Sequence, residues 1–317
     1  MGRHYNNFEL NAMEARMNNN LTVSVIIPAY SIGKVKSLNR VIDSVLNQTV
    51  KPDEIIVAVD HNMALMNMFS VRKDIKTTLN NRIKGGAETR NTGIHTAAGD
   101  IVVFIDDDAW ADRGWLENII KLYDDPKVIA VGGKTISTWD KSRPSWFPEE
   151  LDWLVGGIWK GHPEQLCEVR NLIGPNMSFR KEVCKTIGYM RAELGAKNSS
   201  FRPGDEPEFF IRLKHYFPDY KIMYEPKAVV YHSVPDGKIT PVKLCQRSFS
   251  LGYYKALLTK DIAKFTPDPS STEKRYLWYL ILESIPSKLL QGRFSQTISI
   301  IASILCTGLG YIKGRLK

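Results

Sequence analysis

Cysteine is scarce in this chain and follows no recognisable pattern. Four of the 317 residues are cysteines: Cys167, Cys184, Cys245 and Cys306. They form no CxxC pair and no zinc-type spacing, so we expect reduced structural thiols. No internal repeat is visible. Residues 1–20 are polar and lack the apolar core of a secretory signal peptide, and we expect a flexible tail there.

The excess of positive charge restricts the partners without choosing among them. A formal net charge of +9 suits phosphorylated substrates, nucleic acid or an anionic membrane surface. The basic residues are dispersed and no aromatic-basic stripe accompanies them, which argues against nucleic acid.

A length of 317 residues suits one large α/β domain with appendages, or two small domains.

Apolar runs and helical patterns alternate in the first third of the chain. Residues 23–28 and 54–60 read as buried strands, and residues 35–46 show apolar side chains at helical spacing. We expect a helix and a short strand before residue 85 and a helix over residues 86–98. This order predicts an α/β fold with a mainly parallel, doubly wound sheet. From about residue 127 the pattern loosens, which indicates a second half with mixed strands.

The segment 101–108 runs from five apolar residues directly into three adjacent aspartates. The apolar part predicts a buried strand, so the carboxylates lie where open α/β sheets bind ligands. Three crowded carboxylates repel one another, and a hard divalent cation relieves that repulsion. Such a cation could hold a diphosphate. The alternative is an acidic loop without a ligand.

The C-terminal region differs from the rest in its long apolar stretches. Residues 294–312 carry no charge, with Arg293 before them and Lys313, Arg315 and Lys317 after them. Nineteen residues are marginal for crossing a membrane, and basic residues at both ends give no orientation. We expect a membrane-associating helical extension, and a soluble docking helix is the alternative. The expected division is therefore a tail (1–20), two halves of one domain (21–126 and 127–255) and a helical region (256–317).

Six motifs in order resemble the family 2 glycosyltransferases with a GT-A fold. They are VSVIIPAY, EIIVAVD, ETRNTGIHTAAGDIVVFIDDD, IGPNMSFRKEV, GDEPEFFIRL and YEPKAVVYHSV, and together they cover residues 22 to about 255. Two segments, RPSWFPEELDWLVGG and VRNLIGPNMSFR, look most like archaeal transferases that add glucuronic acid to a lipid-linked glucose.

The resemblance implies a site for a nucleotide-sugar donor and for Mg²⁺ or Mn²⁺. Asp106 and Asp108 resemble the DxD pair of the family, in which the last aspartate holds the metal and the first touches the ribose or the metal. Asp107 could equally be the ribose contact. In some members of the family, a histidine at the position of His232 completes the metal site. The remaining donor-binding candidates are Pro28, Ala29, Tyr30, Asp60 and Arg90. Asp60 could instead be a helix N-cap or a turn acid, and Arg90 could lock the acidic loop rather than meet a phosphate.

The resemblance also implies the catalytic residues and part of the acceptor site. Asp205 and Glu206 match the acidic pair whose second member is the general base, although an acid pair also suits the N-terminus of a helix. Acceptor-side candidates are Trp146, Asn176, Met177 and Arg212. For a uronic acid donor, Arg143, Arg170 and Arg180 are candidate partners of the sugar carboxylate.

The resemblance implies an inverting, metal-dependent transfer of a sugar from a UDP-sugar. A lipid phosphate is already ionised and needs no base, whereas a sugar hydroxyl does, so Glu206 favours an acceptor hydroxyl on a polyprenyl- or dolichyl-phosphate-linked glycan. The expected location is the cytoplasmic face of the cell membrane. The alternatives are a transferase for capsular or cell-wall polysaccharide, a dolichyl-phosphate sugar synthase, and a non-catalytic nucleotide-sugar-binding protein.

Overall fold

The computed structural model describes residues 21–195, 202–266, 268 and 270–316. The predicted tail, 1–20, lies outside the described residues. The strands are β1 (Val23–Ala29), β2 (Glu54–Asp60), β3 (Lys76–Asn80), β4 (Ile101–Phe104), β5 (Ala109–Ala111), β6 (Val128–Trp139), β7 (Cys167–Glu168), β8 (Met177–Arg180) and β9 (Lys221–Val234). The α-helices are α1 (Val35–Leu46), α2 (Met63–Ser70), α3 (Gly86–Thr96), α4 (Trp115–Ile120), α5 (Val183–Ile187), α6 (Asp205–Tyr216), α7 (Pro241–Ile262), α8 (Ser271–Tyr279), α9 (Ile285–Leu290) and α10 (Phe294–Arg315). Short 3₁₀ segments cover Ile32–Lys34, Lys121–Asp124, Glu149–Val155 and Gly174–Asn176, and a π-helical turn, Leu280–Ser284, joins α8 to α9.

All strands belong to one mixed sheet in the order β3-β2-β1-β4-β8-β6-β9-β5, with β7 paired to β9. The first four are parallel, β8 is antiparallel to both β4 and β6, and β6 is parallel to β9. This agrees with the predicted change from a parallel first half to mixed strands.

Strand β1 continues one residue past Pro28, where the sequence predicted its end. Pro28 pairs in register with Ala58 of β2, whereas β4 pairs with β1 only from Val23 to Ile26. Pro28 has no N–H to donate. Because it lies beyond the part of β1 that β4 covers, the missing donor does not interrupt a central ladder.

Helices cover both faces of the sheet, as a doubly wound fold requires. One core packs α1 and α4 against the sheet, with buried side chains such as Leu38, Val41 and Trp115. The other packs α3 and α6, with Phe179, Phe209 and other apolar residues. Because both faces are buried, β4 is apolar at every residue and β1 has a single polar residue, Ser24.

Helix α7 is continuous across residues 255 and 256, where the sequence analysis divided the domain from the helical region. The C-terminal helices therefore begin at Pro241. They pack on the Glu149–Val155 segment through a third core that contains Leu151, Leu154, Leu280 and Ile300.

Candidate active site

The aspartates that follow β4 lie beside a histidine from β9. Strand β5 pairs with β9 so that Ala109 faces His232, which brings the imidazole next to the acidic turn. His232 Nε2 is 3.2 Å from Asp108 Oδ1. One ligand atom from each of Asp106, Asp108 and His232 lies within 4.8 Å of the other two. The geometry therefore brings together the three residues expected at the metal.

Two lysines that the sequence analysis did not select also face these acids. The Lys34 ammonium donates to Asp107 Oδ1 at 2.8 Å and to Asp108 Oδ2 at 2.9 Å. Lys238 Nζ lies 3.8 Å from Asp108 Oδ2. Burial alone would raise the pKa of Asp108, but His232, Lys34 and Lys238 hold this pKa well below its usual range. Asp108 is therefore kept ionised and suited to binding a cation.

Asp107 differs from its neighbour although it shares Lys34. Burial raises the pKa of Asp107, Lys34 opposes the shift, and the charge of Asp108 adds to it. Among the described residues, its buried Oδ2 has no hydrogen-bond partner. The Nδ1 atom of His232 likewise has none within the described part of the chain.

The donor set suits a hard divalent cation. Carboxylate oxygens are the ligands that Mg²⁺ and Mn²⁺ prefer, and an imidazole is compatible with Mn²⁺. The oxygens of Asp106 and Asp108 and a nitrogen of His232 are close enough to share one ion. The site therefore fits the metal that the sequence implied, and its residues do not select Mg²⁺ over Mn²⁺.

The loops after β1 and β2 form the neighbouring part of the cleft. Pro28 and Ala29 belong to β1, and the Tyr30 side chain is 50% exposed beside the Lys34 ammonium. The Tyr30 carbonyl accepts a hydrogen bond from Asn62, which ties the two loops together.

Asp60 organises the second of these loops. Its carboxylate accepts hydrogen bonds from the Asn80 side chain at 2.9 Å and from the Gly85 N–H at 3.1 Å, and it lies 2.8 Å from His61 Nδ1. Asp60 does not cap α2, because Asn62 does so. The capping alternative for Asp60 is therefore wrong. Its expected contact with the nucleotide stays a prediction.

Arg90 joins the aspartates after β4 to the acidic pair at the start of α6. The guanidinium of this buried α3 residue lies 3.2 Å from Asp106 Oδ1 and 3.2 Å from Asp205 Oδ2. It is 3.6 Å from Glu206 Oε1. Burial would lower the pKa of Arg90, but the three carboxylates raise it on balance. Arg90 thus locks the acidic groups together, which is one of the two roles considered from the sequence.

The surroundings of Glu206 favour the protonated form of its carboxyl group. Burial and the adjacent Asp205 raise its pKa to about 8, against the opposing charge of Arg90. Gly174 makes this packing possible, because a Cβ at that position would lie 2.4 Å from Glu206 Oε1 and 2.6 Å from an Arg90 nitrogen. A carboxylate with a pKa near the working pH is suited to general base catalysis.

Two acceptor candidates, Asn176 and Met177, lie inside the fold rather than on a surface that a substrate could reach. Met177 is fully buried in the core. Asn176 is 1% exposed and bonds to Trp115, to the Lys134 carbonyl and to the Ala228 carbonyl. Both residues therefore have structural roles, and their assignment to the acceptor site is wrong.

Arg212 is also engaged within the protein. Its guanidinium pairs with Glu208 one helical turn earlier and donates to the carbonyls of Ile187 and Tyr189. These bonds fix α6 against the α5 region, so the assignment of Arg212 to the acceptor is wrong. Trp146 is half-buried against Phe147, and its role stays a prediction.

The arginines considered for a uronic acid donor have partners in the chain. Arg143 pairs with Asp152, and Arg170 forms two hydrogen bonds with Glu273. Arg180 is 2% exposed and donates to backbone carbonyls. The structure thus gives all three arginines roles in the fold.

One of the residues that sequence reasoning missed carried a readable signal. Lys34 stands at the N-cap of α1, where the helix dipole disfavours a cation. A cation in that place, just after the first strand, indicates a nearby anion. Lys238 and Gly174 gave no comparable signal, since their importance depends on contacts with residues far away in sequence.

Comparisons with known proteins identify the family of the chain. Residues 24–188 match the model of the family described as Glycosyl transferase family 2. A Haloferax volcanii protein named glucosyl-dolichyl phosphate glucuronosyltransferase is 30% identical over 308 residues, which cover 93% of this chain and 97% of that protein. The O-antigen chain rhamnosyltransferase RfbN of Salmonella typhimurium is 24% identical, over 74% of this chain and 73% of its own.

Two solved structures share the fold. The mannosyltransferase PcManGT from Pyrobaculum calidifontis, in complex with GDP-Man and Mn²⁺, has a TM-score of 0.60 and 19% identity, with 93% of this chain and 88% of that chain covered. GalNAc-T7 with UDP, GalNAc and Mn²⁺ has a TM-score of 0.53 and 14% identity, with 86% and 58% covered. These likenesses confirm the expected GT-A-like fold. The chain therefore belongs to glycosyl transferase family 2 and is a glycosyltransferase.

Proposed function

We propose that this glycosyltransferase moves a sugar from a UDP-sugar to a hydroxyl of a polyprenyl- or dolichyl-phosphate-linked glycan, with inversion at the anomeric carbon. The observation that carries the proposal is the position of Arg90, between Asp106 of the first acidic group and Glu206 of the second. A donor diphosphate at the first group would have its anomeric carbon within reach of a base at the second. Positioning of both reactants in one cleft supplies much of the rate of such transfers.

Asp106, Asp108 and His232 would hold Mg²⁺ or Mn²⁺. A bound divalent cation would act there as a Lewis acid that neutralises charge developing on the leaving diphosphate. Lys34 contacts Asp107 and Asp108 and carries an ammonium that can also face phosphate oxygens. Tyr30, Asp60 and the ends of β1 and β2 would hold the nucleoside.

Glu206 would take the proton of the acceptor hydroxyl as that oxygen attacks the anomeric carbon. Its raised pKa matches this role, because a stronger base accepts a proton more readily. Asp205 and Arg90 keep the carboxyl group in place. An acceptor that is an ionised phosphate would not need this proton transfer, so the base supports a hydroxyl acceptor.

The sugar and the cellular location belong to the same proposal. The name of the Haloferax volcanii relative supports a glucuronate donor and a dolichyl-phosphate-linked acceptor. We include a role in protein N-glycosylation in the proposal. An apolar C-terminal helix of 22 residues supports a location of the enzyme at a membrane. We propose the cytoplasmic face, where nucleotide sugars serve as donors. The partners are thus a nucleotide-sugar, a lipid-linked glycan and a membrane surface, without nucleic acid.

A donor and acceptor screen by mass spectrometry tests the proposal. The protein in mild detergent is mixed with Mn²⁺ and lipid extract, and with UDP-glucuronate, UDP-glucose, UDP-GlcNAc or GDP-mannose. We expect UDP release with UDP-glucuronate and a matching mass gain on a lipid-linked glycan. EDTA and Glu206→Gln should both abolish the gain, while Glu206→Gln still binds UDP.

The other outcomes distinguish the alternatives. Transfer to dolichyl phosphate itself that is insensitive to Glu206→Gln would identify a dolichyl-phosphate sugar synthase. Transfer to a polysaccharide repeat unit would identify a capsular or cell-wall enzyme. Metal-dependent UDP binding without turnover on any acceptor would favour a binding protein.

A further inference from the structure

We infer that α10 lies flat on the surface of the lipid bilayer and does not cross it. The helix presents a continuous apolar stripe on one side. Its seven members follow one another at spacings of three or four residues, and each is at least 43% exposed: Phe294, Ile298, Ile301, Leu305, Leu309, Ile312 and Leu316. We call this stripe the α10 face. Leu290, just before the turn into α10, extends it and is 90% exposed.

Length and composition alone would also allow α10 to span a membrane. Its 22 residues extend about 33 Å at about 1.5 Å per residue, enough for a hydrocarbon core. The orientation is decided by what covers its opposite side.

That side packs along α7 with the two helices running in the same direction. Ser248 and Ser303 share a hydrogen bond of 2.8 Å between their hydroxyl oxygens. A Cβ at Gly252 would lie 1.9 Å from the Thr307 carbonyl oxygen, and one at Gly314 would meet the Tyr253 carbonyl oxygen at 2.6 Å. The backbones therefore touch over several turns, and α10 cannot tilt away from α7 without losing these contacts.

Helix α7 is fastened to the catalytic domain at both of its ends. Near its start, Arg247 donates to the Leu154 carbonyl. Near its end, Leu258 packs on Ile211, and Asp261 pairs with Arg191 at 3.0 Å. Because α7 lies along the domain, the parallel α10 lies along it too and does not project from it.

The charges of α7 also oppose insertion of the pair across a bilayer. Lys255 in its second half is paired with Glu273, and Lys243 and Lys260 are exposed near its two ends. A spanning α10 would carry these charged groups into the hydrocarbon region, which is strongly unfavourable for each uncompensated charge. An α10 in the membrane plane leaves all of them in water or in protein.

The charge around the α10 face suits anionic lipid headgroups. Residues 284–317 contain five basic residues and no acidic residue. Three of the basic residues, Arg293, Lys313 and Arg315, are exposed at the two ends of α10. An amphipathic helix with basic ends binds in the headgroup region with its apolar side against the acyl chains.

Vesicle flotation tests the docking surface. This inference rests on the membrane location in the proposed function. Flotation measures membrane binding alone, so a chain that fails to float could still be an active transferase. The full chain should float with vesicles of phosphatidylcholine and phosphatidylglycerol, at least about tenfold more than with phosphatidylcholine alone. Leu305→Gln with Leu309→Gln should lower the bound fraction at least about tenfold. The matched double change Met68→Gln with Val71→Gln, at exposed apolar residues of α2 and the position after it, should leave it unchanged.

Retained UDP binding and an unchanged melting temperature verify that each variant is folded, and the single change Leu309→Gln replaces the pair if it is not. Equal flotation of the α10 variant and the native chain would overturn the inference. So would the absence of flotation, or a stable dimer in solution that buries the α10 face and is not dissociated by vesicles.

Thiol labelling tests whether the helix lies flat. In a chain whose four native cysteines are replaced by alanine, Ser295→Cys and Leu316→Cys mark the two ends of α10. In sealed inside-out membrane vesicles from expressing cells, a membrane-impermeant maleimide should label both ends equally, without any gain when detergent is added. Protection of one end until detergent opens the vesicles would show a spanning helix and contradict the inference.

Discussion

The two acidic centres of the cleft use the same kind of side chain and reach opposite states. Asp108, at the end of a strand, is surrounded by Lys34, Lys238 and His232, which hold its pKa well below the usual range. Glu206, at the start of a helix, is partly buried beside Asp205, and its pKa rises to about 8. The first environment keeps a negative charge available for a cation, and the second prepares a carboxylate to take a proton.

The comparison shows that surroundings, rather than residue type, assign the roles in this cleft. Both carboxyl groups are partly buried, and burial by itself raises the pKa of a carboxyl group. The neighbouring side chains decide the outcome, because Lys34, Lys238 and the His232 imidazole face Asp108, whereas Glu206 has Arg90 and a competing acid. Arg90 touches both centres and keeps them at a fixed separation.

The largest expected effect comes from removing the charge of the first centre. Asp108→Asn leaves His232 and Lys34 without their shared carboxylate and removes one proposed metal ligand. Loss of about 4 kcal/mol of stabilisation of the leaving diphosphate corresponds to a roughly thousandfold lower kcat. Isothermal titration should also show loss of Mn²⁺-dependent UDP binding. Full UDP binding by this variant would contradict the assignment of Asp108.

Removing the base should affect chemistry and leave donor binding in place. Glu206→Gln keeps the shape of the side chain and is expected to lower kcat about a hundredfold, within the usual range for a general base. Calorimetry should give UDP and Mn²⁺ affinities close to those of the native chain. The two centres would not be functionally distinct if this variant lost donor binding as Asp108→Asn does.

A smaller effect is expected at Lys34, which serves the first centre. Lys34→Met removes two charge-assisted hydrogen bonds to Asp107 and Asp108, and we expect an approximately tenfold weaker affinity for UDP with Mn²⁺. Lys36, exposed two residues later, provides the matched control in Lys36→Met. Equal affinities of the two variants would show that Lys34 is not part of the donor site.

The smallest expected effect concerns stability. Because the folded protein raises the pKa of Glu206 from about 4.5 to about 8, the protonated form is favoured on folding. The contribution of the protonated Glu206 carboxyl to the free energy of unfolding is complete below the ordinary pKa of a glutamate, and it is lost as the pH rises towards 8. Glu206→Gln removes that loss, so its melting temperature should exceed that of the native chain at pH 8 by about 2 °C or more. No difference at pH 8, with equal melting temperatures at pH 4.5, would count against a raised pKa.

The sequence predicted those parts of the molecule that depend on local patterns. The parallel strands, helices α1 and α3, and the acids at the end of β4 follow from apolar periodicity and from the positions where strands end. The order of the motifs predicted the family. Asp106 and Asp108 follow the end of β4, and the pairing of Ala109 with His232 inside β9 brings the imidazole to them.

Local patterns could not predict contacts between distant segments. Asn176 and Met177 match the substrate-facing loop of the family, yet long-range packing against β4 and β6 buries them. The contact of Gly174 with Glu206 likewise joins residues 32 positions apart. The continuous α7 was missed because its polar residues hide the helical period.

The central claim is that Glu206 is a base with a raised pKa in the donor cleft. The pH dependence of kcat/KM tests this claim most directly. With a UDP-sugar donor and its acceptor, kcat/KM of the native chain should rise about tenfold per pH unit up to about pH 8 and then level off. The affinity for UDP with Mn²⁺, measured at each pH, should change much less, and the residual activity of Glu206→Gln should show no such rise. A native profile that is flat between pH 6 and pH 8 would contradict the account.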